Sequence, residues 1–476
     1  MKPRRKAVIL ALLLLALAWP GAAANHYVRA GGTGTGTDWT SGNACGDFTG
    51  SCAVSSLVRG DTYYVATGTY AQLVLDKANS GTTLITIKGA TTADHGTDTG
   101  WVNSYSVSTA DGGAQAQFTF TSVSNVVFRT DHWVFDGAVG SGNTLSSYGF
   151  LMKVTADCTI SPQRYIQVRG AADGPNTDIT IKHVALNGCG PGNDTSSYFF
   201  TLGCGACQLT NINIAYTYTE NVTGALNTTN IASSTWEHNY WEKFFYAGTN
   251  SGKEVIAATC SNSGGSCVGL NDNNIFRYNI VKDCNASGYS GGIIGLGPGE
   301  PIAMLNWKIY GNVWKTCGGN SGVIAGINGF QLQGVEIDNE LFIDIPAQLV
   351  SQCEGTCSSA SGNKFRNNII WNGVTGVNQG TGGAWTKDYN TCLSVISTDH
   401  CLDDTHGQSG SGDPTVDYVN DNFRLAAGTY CSGLDLSASF TTGLYGGTFD
   451  TSNWCRGVEP YVSTKPTVWM RGLLPH

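Results

Sequence analysis

Short alternations of apolar and polar residues recur along the chain, each closed three positions after an apolar anchor by a turn residue, usually asparagine. Six such segments align without gaps: Ile181-Lys-His-Val184, Trp236-Glu-His-Asn239, Phe276-Arg-Tyr-Asn279, Ile309-Tyr-Gly-Asn312, Ile337-Asp-Asn-Glu340 and Phe365-Arg-Asn-Asn368. Their anchors lie 55, 40, 33, 28 and 28 residues apart. The flanking alternation, as in Asn306-Trp-Lys-Ile-Tyr310, is the period-2 mark of a half-buried strand. A second short apolar strand follows each turn: Ile280-Val281, Val313-Trp314, Leu341-Phe342 and Ile369-Ile370. Strand, turn and strand repeated at these intervals predict stacked coils, one per 28 residues, two for the 55, with loop insertions in the longer intervals. Such a stack escapes the usual size limit of one core, because each coil packs only on its neighbours.

The recurring asparagine has a physical reason. It tolerates left-handed backbone at a sharp bend, and its amide can bond to the backbone of the next coil. At about 4.8 Å per coil these residues are expected to form a ladder down one corner. Cys189, Cys284 and Cys317 each fall eight residues after an anchor. That register sets Cys284 beside Cys317 and predicts a disulfide between them.

The N-terminus carries a different pattern. Lys2, Arg4, Arg5 and Lys6 precede an apolar run from Ala7 to Ala18, and Ala22-Ala23-Ala24 supplies small residues for a signal peptidase. The run is too short for a membrane span, which needs ~20 residues. Residues 1–24 therefore read as a signal peptide cleaved near Ala24, and the protein as secreted, extracellular or periplasmic, without a membrane span. Removing the leader's four basic residues leaves 22 of the 26 Lys and Arg against 35 Asp and Glu, a net charge of −13. An acidic chain without a basic cluster argues against nucleic acid and anionic membranes as partners. An acidic polysaccharide is less strongly excluded, because cations can bridge two negative surfaces. The 63 glycines and many Thr, Asn and Ser suit short strands and tight turns rather than helices.

All 16 cysteines follow the leader, and an even count in an exported chain reads as disulfides. Near neighbours suggest loop staples: Cys45 with Cys52, Cys260 with Cys267, Cys353 with Cys357, Cys392 with Cys401, Cys431 with Cys455. Cys204-Gly-Ala-Cys207 has redox-motif spacing but no βαβ pattern around it. Gly288-Tyr-Ser-Gly-Gly292 matches a nucleophile-elbow string without the strand and helix that motif requires.

Several segments resemble a known family. His26-Tyr-Val-Arg-Ala-Gly-Gly-Thr-Gly34, Val58-Arg-Gly-Asp-Thr-Tyr-Tyr-Val-Ala-Thr-Gly-Thr-Tyr70 and Leu84-Ile-Thr-Ile-Lys-Gly89 are similar to the opening of secreted right-handed parallel β-helix proteins of the pectate-lyase-like superfamily. Asp131-His-Trp-Val-Phe-Asp-Gly137 resembles their early coils. Asp413-Pro-Thr-Val416 and Asn422-Phe-Arg-Leu-Ala-Ala-Gly428 resemble their closing segment. The resemblance implies an all-β, single-stranded right-handed parallel β-helix with terminal caps and multiple disulfides. Residues 25–80 are expected to form an N-terminal cap and first strands, 81–400 the coils, and 401–476 a C-terminal cap and tail. These motifs stack coils and are shared by lyases, glycosidases, epimerases and adhesins, so they specify fold rather than chemistry.

Candidate chemistry comes from the outward positions beside the anchors, which the pleat arranges as a grid. In order these are Thr180 and Lys182, Thr235 and Glu237, Ile275 and Arg277, Lys308 and Tyr310, Glu336 and Asp338, Lys364 and Arg366. Glu336 and Asp338 have a spacing near that of an inverting glycosidase's acid and base. Alternatively, β-elimination at a uronate needs a neutralising cation, a base and an acid. Lys308, Arg366 or Arg277 would serve as base or neutraliser, Tyr310 as acid, and Glu336 with Asp338 as a Ca²⁺ site. Opposite charges on adjacent strands are also ordinary cross-strand pairs. Glu242, Lys282 and Lys315 form a second column, and His183 and His238 a third, both readable as plain stacking. Trp236, Trp241, Trp307, Trp314 and Trp371 are mostly core by position.

The expectation is a secreted polysaccharide lyase or glycoside hydrolase, monomeric, with a polysaccharide as its partner. The alternatives are a non-catalytic glycan-binding or adhesive protein and a structural cell-envelope protein. An enzyme calls for a groove beside the patch, with the 247–270 insertion as one wall. A binder calls for exposed aromatics without an acid–base pair.

Overall fold

The computed structural model describes the chain from residue 23 to residue 461 except 120–123, 155–163, 170–175, 190–196, 204–206, 245–254, 260–270, 285–293, 297–301, 318–322, 326–330, 347–348, 352–360, 374–376, 379–384 and 396–404. Residues 1–22 of the proposed leader, the 247–270 insertion apart from residues 255–259, and Cys260, Cys267, Cys353, Cys357 and Cys401 lie outside the described residues.

Three long parallel sheets run the length of the molecule, with 13, 12 and 10 strands, and the chain visits them in turn. This is a right-handed parallel β-helix with a roughly triangular section. The first sheet holds every anchor. Trp236 pairs with Phe276, Phe276 with Ile309, Ile309 with Ile337 and Ile337 with Phe365, the gapless register the sequence pattern predicts. The 55-residue interval holds two coils, with Ile214 as the unrecognised anchor between Ile181 and Trp236. The strands after each turn, Ile280–Lys282, Val313–Lys315, Leu341–Ile343 and Ile369–Trp371, stack in the second sheet.

Inside lie the alternate apolar residues, close-packed and layered. Trp236 stacks on Trp307 at 5.4 Å and Phe276 on Trp314 at 5.7 Å. Both stacks are fully buried. Each such ring removes a large apolar surface from water.

A polar ladder also runs inside. Asn279 Oδ1 accepts from the Asn239 backbone N–H (3.0 Å) and its Nδ2 (2.9 Å). Asn312 Oδ1 does the same for Asn279, at 2.8 and 3.0 Å. The row extends from Thr217 through Asn239, Asn279, Asn312, Glu340 and Asn368 to Asn390. All seven are buried, so each bond satisfies a group that would otherwise be stranded away from water.

The ladder is as expected, but the left-handed residue is not the asparagine. It is the residue before: Tyr278, Gly311, Asn339 and Asn367 have φ of 56°, 69°, 53° and 57°. Left-handed residues recur every five positions, at Asn273, Tyr278 and Asp283, at Asn306, Gly311 and Thr316, and at Gly334, Asn339 and Asp344. They turn the chain at three corners per coil. The ladder residue turns inward immediately after the middle corner.

Cys284 and Cys317 are joined between adjacent coils, as the register requires. Cys45 with Cys52 and Cys431 with Cys455 are joined as the sequence suggests. Disulfides of this kind fit an oxidising compartment. No helix among the described residues is long and apolar enough to cross a membrane.

The C-terminal segment folds back along the flank of the coils. Phe423, Leu425, Leu436, Phe440, Phe449 and Trp454 form a second apolar cluster with the outward residues Val313, Leu341, Ile343 and Ile369 of the second sheet. Trp371 belongs to this outer cluster rather than to the core, meeting Tyr418 edge-on at 4.6 Å. Asp421 pins the segment: its carboxylate contacts Lys282 at 2.7 Å and Lys315 at 3.1 Å and accepts from the Tyr240 hydroxyl at 2.5 Å. Glu242 lies 3.0 Å from Lys282. The column Glu242, Lys282 and Lys315 is thus a clamp for the segment.

Candidate functional site

Covering the second sheet leaves the first sheet's outward face as the surface on which the predicted residues lie. Parallel register aligns its side chains in two columns. One reads Thr235, Ile275, Lys308, Glu336 and Lys364, the other Glu237, Arg277, Tyr310, Asp338 and Arg366. The second column continues upstream through Ala215, Lys182 and Asp136 to Lys88. Along it the sign alternates: Lys88, Asp136, Lys182, then Glu237, Arg277, then Asp338, Arg366. Neutral Ala215 and Tyr310 fill the gaps between these charged groups.

Most of these charges are spent on one another. Arg366 grips Asp338 through Nε (2.9 Å) and Nη2 (2.6 Å), and Nη2 also lies 3.2 Å from Glu336. Lys364 Nζ donates to Glu336 at 2.7 Å. Arg277 Nε donates to Glu237 at 2.6 Å and its Nη1 to the Tyr310 hydroxyl at 3.0 Å. Tyr310 is buried, its ring stacked against Phe440 of the C-terminal segment at 4.5 Å. Burial pushes the Asp338 carboxyl up to about 6 despite Arg366. Burial also acts to raise Glu336, but Lys364, Arg366 and Lys308 outweigh it and hold this carboxyl below its ordinary value.

The six residues named from sequence are therefore together on one face, in three chemical states. Arg277, Arg366, Glu336 and Asp338 are ion-paired, Tyr310 is roofed over, and Lys308 is exposed. Among the described residues the Lys308 ammonium makes no ion pair or hydrogen bond. The carboxylates of Glu336 and Asp338 both touch one guanidinium nitrogen, so the contacting oxygens are closer than the ~6.5–9.5 Å of an inverting pair. A Ca²⁺ ion held there would have to displace the Arg366 and Lys364 cations, because carboxylate oxygens that face cations are not free donors. The pair does not fit a resident cation.

A second constellation lies upstream on the same face. Nδ1 of His183 is 2.6 Å from Oδ1 of buried Asp136, and Lys182 Nζ is 3.2 Å from Oδ2 of the same carboxylate. Burial acts to raise Asp136, and the bond and charge of His183 with the charge of Lys182 bring it below the ordinary carboxylate range. His183 has φ of 56°, as do its column neighbours Tyr216 (51°) and His238 (54°) within a few degrees. Their rings form a corner strip, His183 stacking on Tyr216 at 5.3 Å and Tyr216 on His238 at 4.9 Å. The strip continues to Tyr278, at 5.1 Å from His238, whose hydroxyl donates to the Thr442 carbonyl at 2.8 Å. The sequence reading paired the two histidines but missed Tyr216 between them and Asp136 beside them. The Asp-Gly of Asp131-His-Trp-Val-Phe-Asp-Gly137 marked the right coil without showing what its carboxylate faces.

No protein-family model matches the chain, and comparison with curated proteins finds no match. Among solved structures, the pectate lyase Pel9A is similar over 93% of this chain and 97% of its own, at 13% identity and a TM-score of 0.49. A mutant of the PL6-family alginate lyase AlyGC is similar over 88% of this chain and 58% of its own, at 12% identity and a TM-score of 0.39. A GH136 lacto-N-biosidase from Eubacterium ramulus is similar over 82% of this chain and 67% of its own, at 10% identity and a TM-score of 0.38.

Proposed function

We propose that the protein is an exported carbohydrate-active protein that takes an acidic polysaccharide along the outward face of its first sheet. Lys308 carries this reading: it is the exposed cation of the patch whose charge no described carboxylate grips. Its neighbours in register and one coil further, Glu336 and Lys364, are bonded to each other. A uronate carboxylate laid across this row meets Lys308 without first breaking an ion pair. In a β-elimination the cations of this face neutralise uronate carboxylates, and Lys308 thereby anchors the polymer. The hydrolase reading is the weaker of the two, since Glu336 and Asp338 share Arg366 and neither is poised with a free oxygen.

A non-catalytic glycan-binding role has its own support. Every carboxylate of the patch is already engaged by a cation, which suits a stable binding face as well as an active one. Incubating the mature protein with plant and algal polyuronates and with neutral polysaccharides separates these readings. Absorbance at 235 nm reports elimination, new reducing ends alone report hydrolysis, and retention on the polymer alone reports binding. Unsaturated product from a polyuronate, with KM raised in Lys308→Ala, is the expected result. Neither binding nor cleavage of any polysaccharide would overturn the proposal.

A further inference from the structure

The His183–Asp136 pair is more than a corner bond. A carboxylate only accepts, so the proton of the imidazole is fixed on Nδ1, 2.6 Å from Asp136. Nε2 is left with its lone pair, and it makes no hydrogen bond among the described residues. The side chain keeps 19% of its surface exposed, so this nitrogen belongs to a group that water and ligands can reach. Asp136, at 8%, does not compete for ligand; it orients the ring. Lys182 presents its ammonium on the same carboxylate with 35% of its side chain exposed. A histidine in left-handed backbone is uncommon, and here the register of two coils and the Tyr216 stack hold it there.

We propose that His183, held by Asp136, is a general base acting on the acidic polysaccharide at this upstream end of the face, with Lys182 as the cation that neutralises the uronate carboxylate. This rests on the carbohydrate reading above and places its chemistry. His183 Nε2 takes the proton from C5 of a uronate. The C5–H electron pair becomes the C4–C5 π bond, and the C4–O bond breaks. The leaving oxygen keeps those electrons and takes a proton from water, and the imidazolium returns its proton to solvent. Lys308, further down the face, then holds the same polymer rather than reacting with it. The charged groups facing the imidazole are few. Asp136 lies on the coil before, Lys182 on its own strand and Tyr216 on the coil after, while Lys88 is committed to Asp94 at 2.6 Å and Glu237 to Arg277.

The test uses the mature full-length protein on polyuronates, read at 235 nm, with thermal melts of every variant. His183→Ala is expected to lower kcat about 100-fold or more. His183→Asn, which accepts left-handed backbone, should match that loss with the melt unchanged. Lys182→Ala should raise KM with a smaller effect on kcat. Asp136→Asn should lower kcat and move the acidic limb of the kcat/KM profile to lower pH, which a merely structural carboxylate would not do. Activity retained in His183→Asn, or an unmoved acidic limb in Asp136→Asn, overturns the base assignment. Binding of polyuronate without cleavage also overturns it and leaves the carbohydrate reading standing, whereas no binding at all overturns both.

Discussion

The indole N–H of Trp314 donates to the carboxylate of Glu340, which occupies the ladder place that asparagine holds in neighbouring coils. Its other oxygen accepts from the backbone N–H and Nδ2 of Asn312, both at 3.0 Å. Asparagine at this place also donates, as Asn312 does to the Phe276 carbonyl at 2.9 Å, and an ionised glutamate cannot. Burial, partly offset by these three donors, pushes the Glu340 carboxyl up to about 8.

A pH dependence of stability follows. The folded state holds its proton more tightly than the unfolded chain, whose glutamates titrate near ~4.3. The stabilisation is therefore fully present below that pH and is lost as pH rises through about 8. Thermal melts of the wild type should fall by several degrees between pH 5 and pH 9. Glu340→Gln should flatten this slope, because the amide stays neutral and can donate.

Asn279 is the test of the ladder itself. Replacing it by Ala strands the backbone N–H of Asn239 inside the solenoid and removes a donor from the Trp236 carbonyl. Each buried polar group left alone costs roughly 1–3 kcal/mol. Denaturant melts should show a loss of that order, while an outward control such as Thr235→Ala should stay within ~0.5 kcal/mol.

Asp421→Ala should release the C-terminal segment rather than unfold the coils. Lys282 and Lys315, with side chains only 13% and 14% exposed, would lose the carboxylate they share. Breaking such a partly buried pair costs about 3–5 kcal/mol at full burial, and less here. Limited proteolysis followed by mass spectrometry should show new cuts after residue 405 with the coil region intact.

Removing the inter-coil disulfide by changing Cys284 and Cys317 to Ser together should lower stability by about 3–4 kcal/mol, from the chain entropy of its 33-residue closure. Peptide mapping of the wild type should recover the two cysteines as one cross-linked fragment.

Stacking was legible in the sequence because it is periodic. The anchors, the Cys284–Cys317 neighbourhood and the outward columns all follow from strand pleat and coil spacing. Ile214 escaped notice; its ladder place holds Thr217, without the amide that marks Asn239, Asn279, Asn312 and Asn368. The left-handed corner was placed one residue late, since asparagine suits both a bend and a ladder, and only the fold tells which it serves. At the site, the rows of charge were readable but their pairing was not. Asp136 and His183 are 47 residues apart, and nothing periodic links them. The roof over Tyr310 was invisible for the same reason. Phe440 lies in an irregular segment whose position is fixed by packing, not by repeat.

Where left-handed residues recur at five-residue intervals, two sides of the coil are fixed and the third is left unruled. Ladder residues on successive coils are separated by 22 residues in one case and 40 in another, yet they meet in the same bond. All of that difference is taken up on the return side. The molecule resembles a staircase whose treads are cut to one length while each landing is free to differ. New sequence can be spliced into a landing without altering the rise, so this side is where such a protein can acquire new surfaces at little cost to its fold.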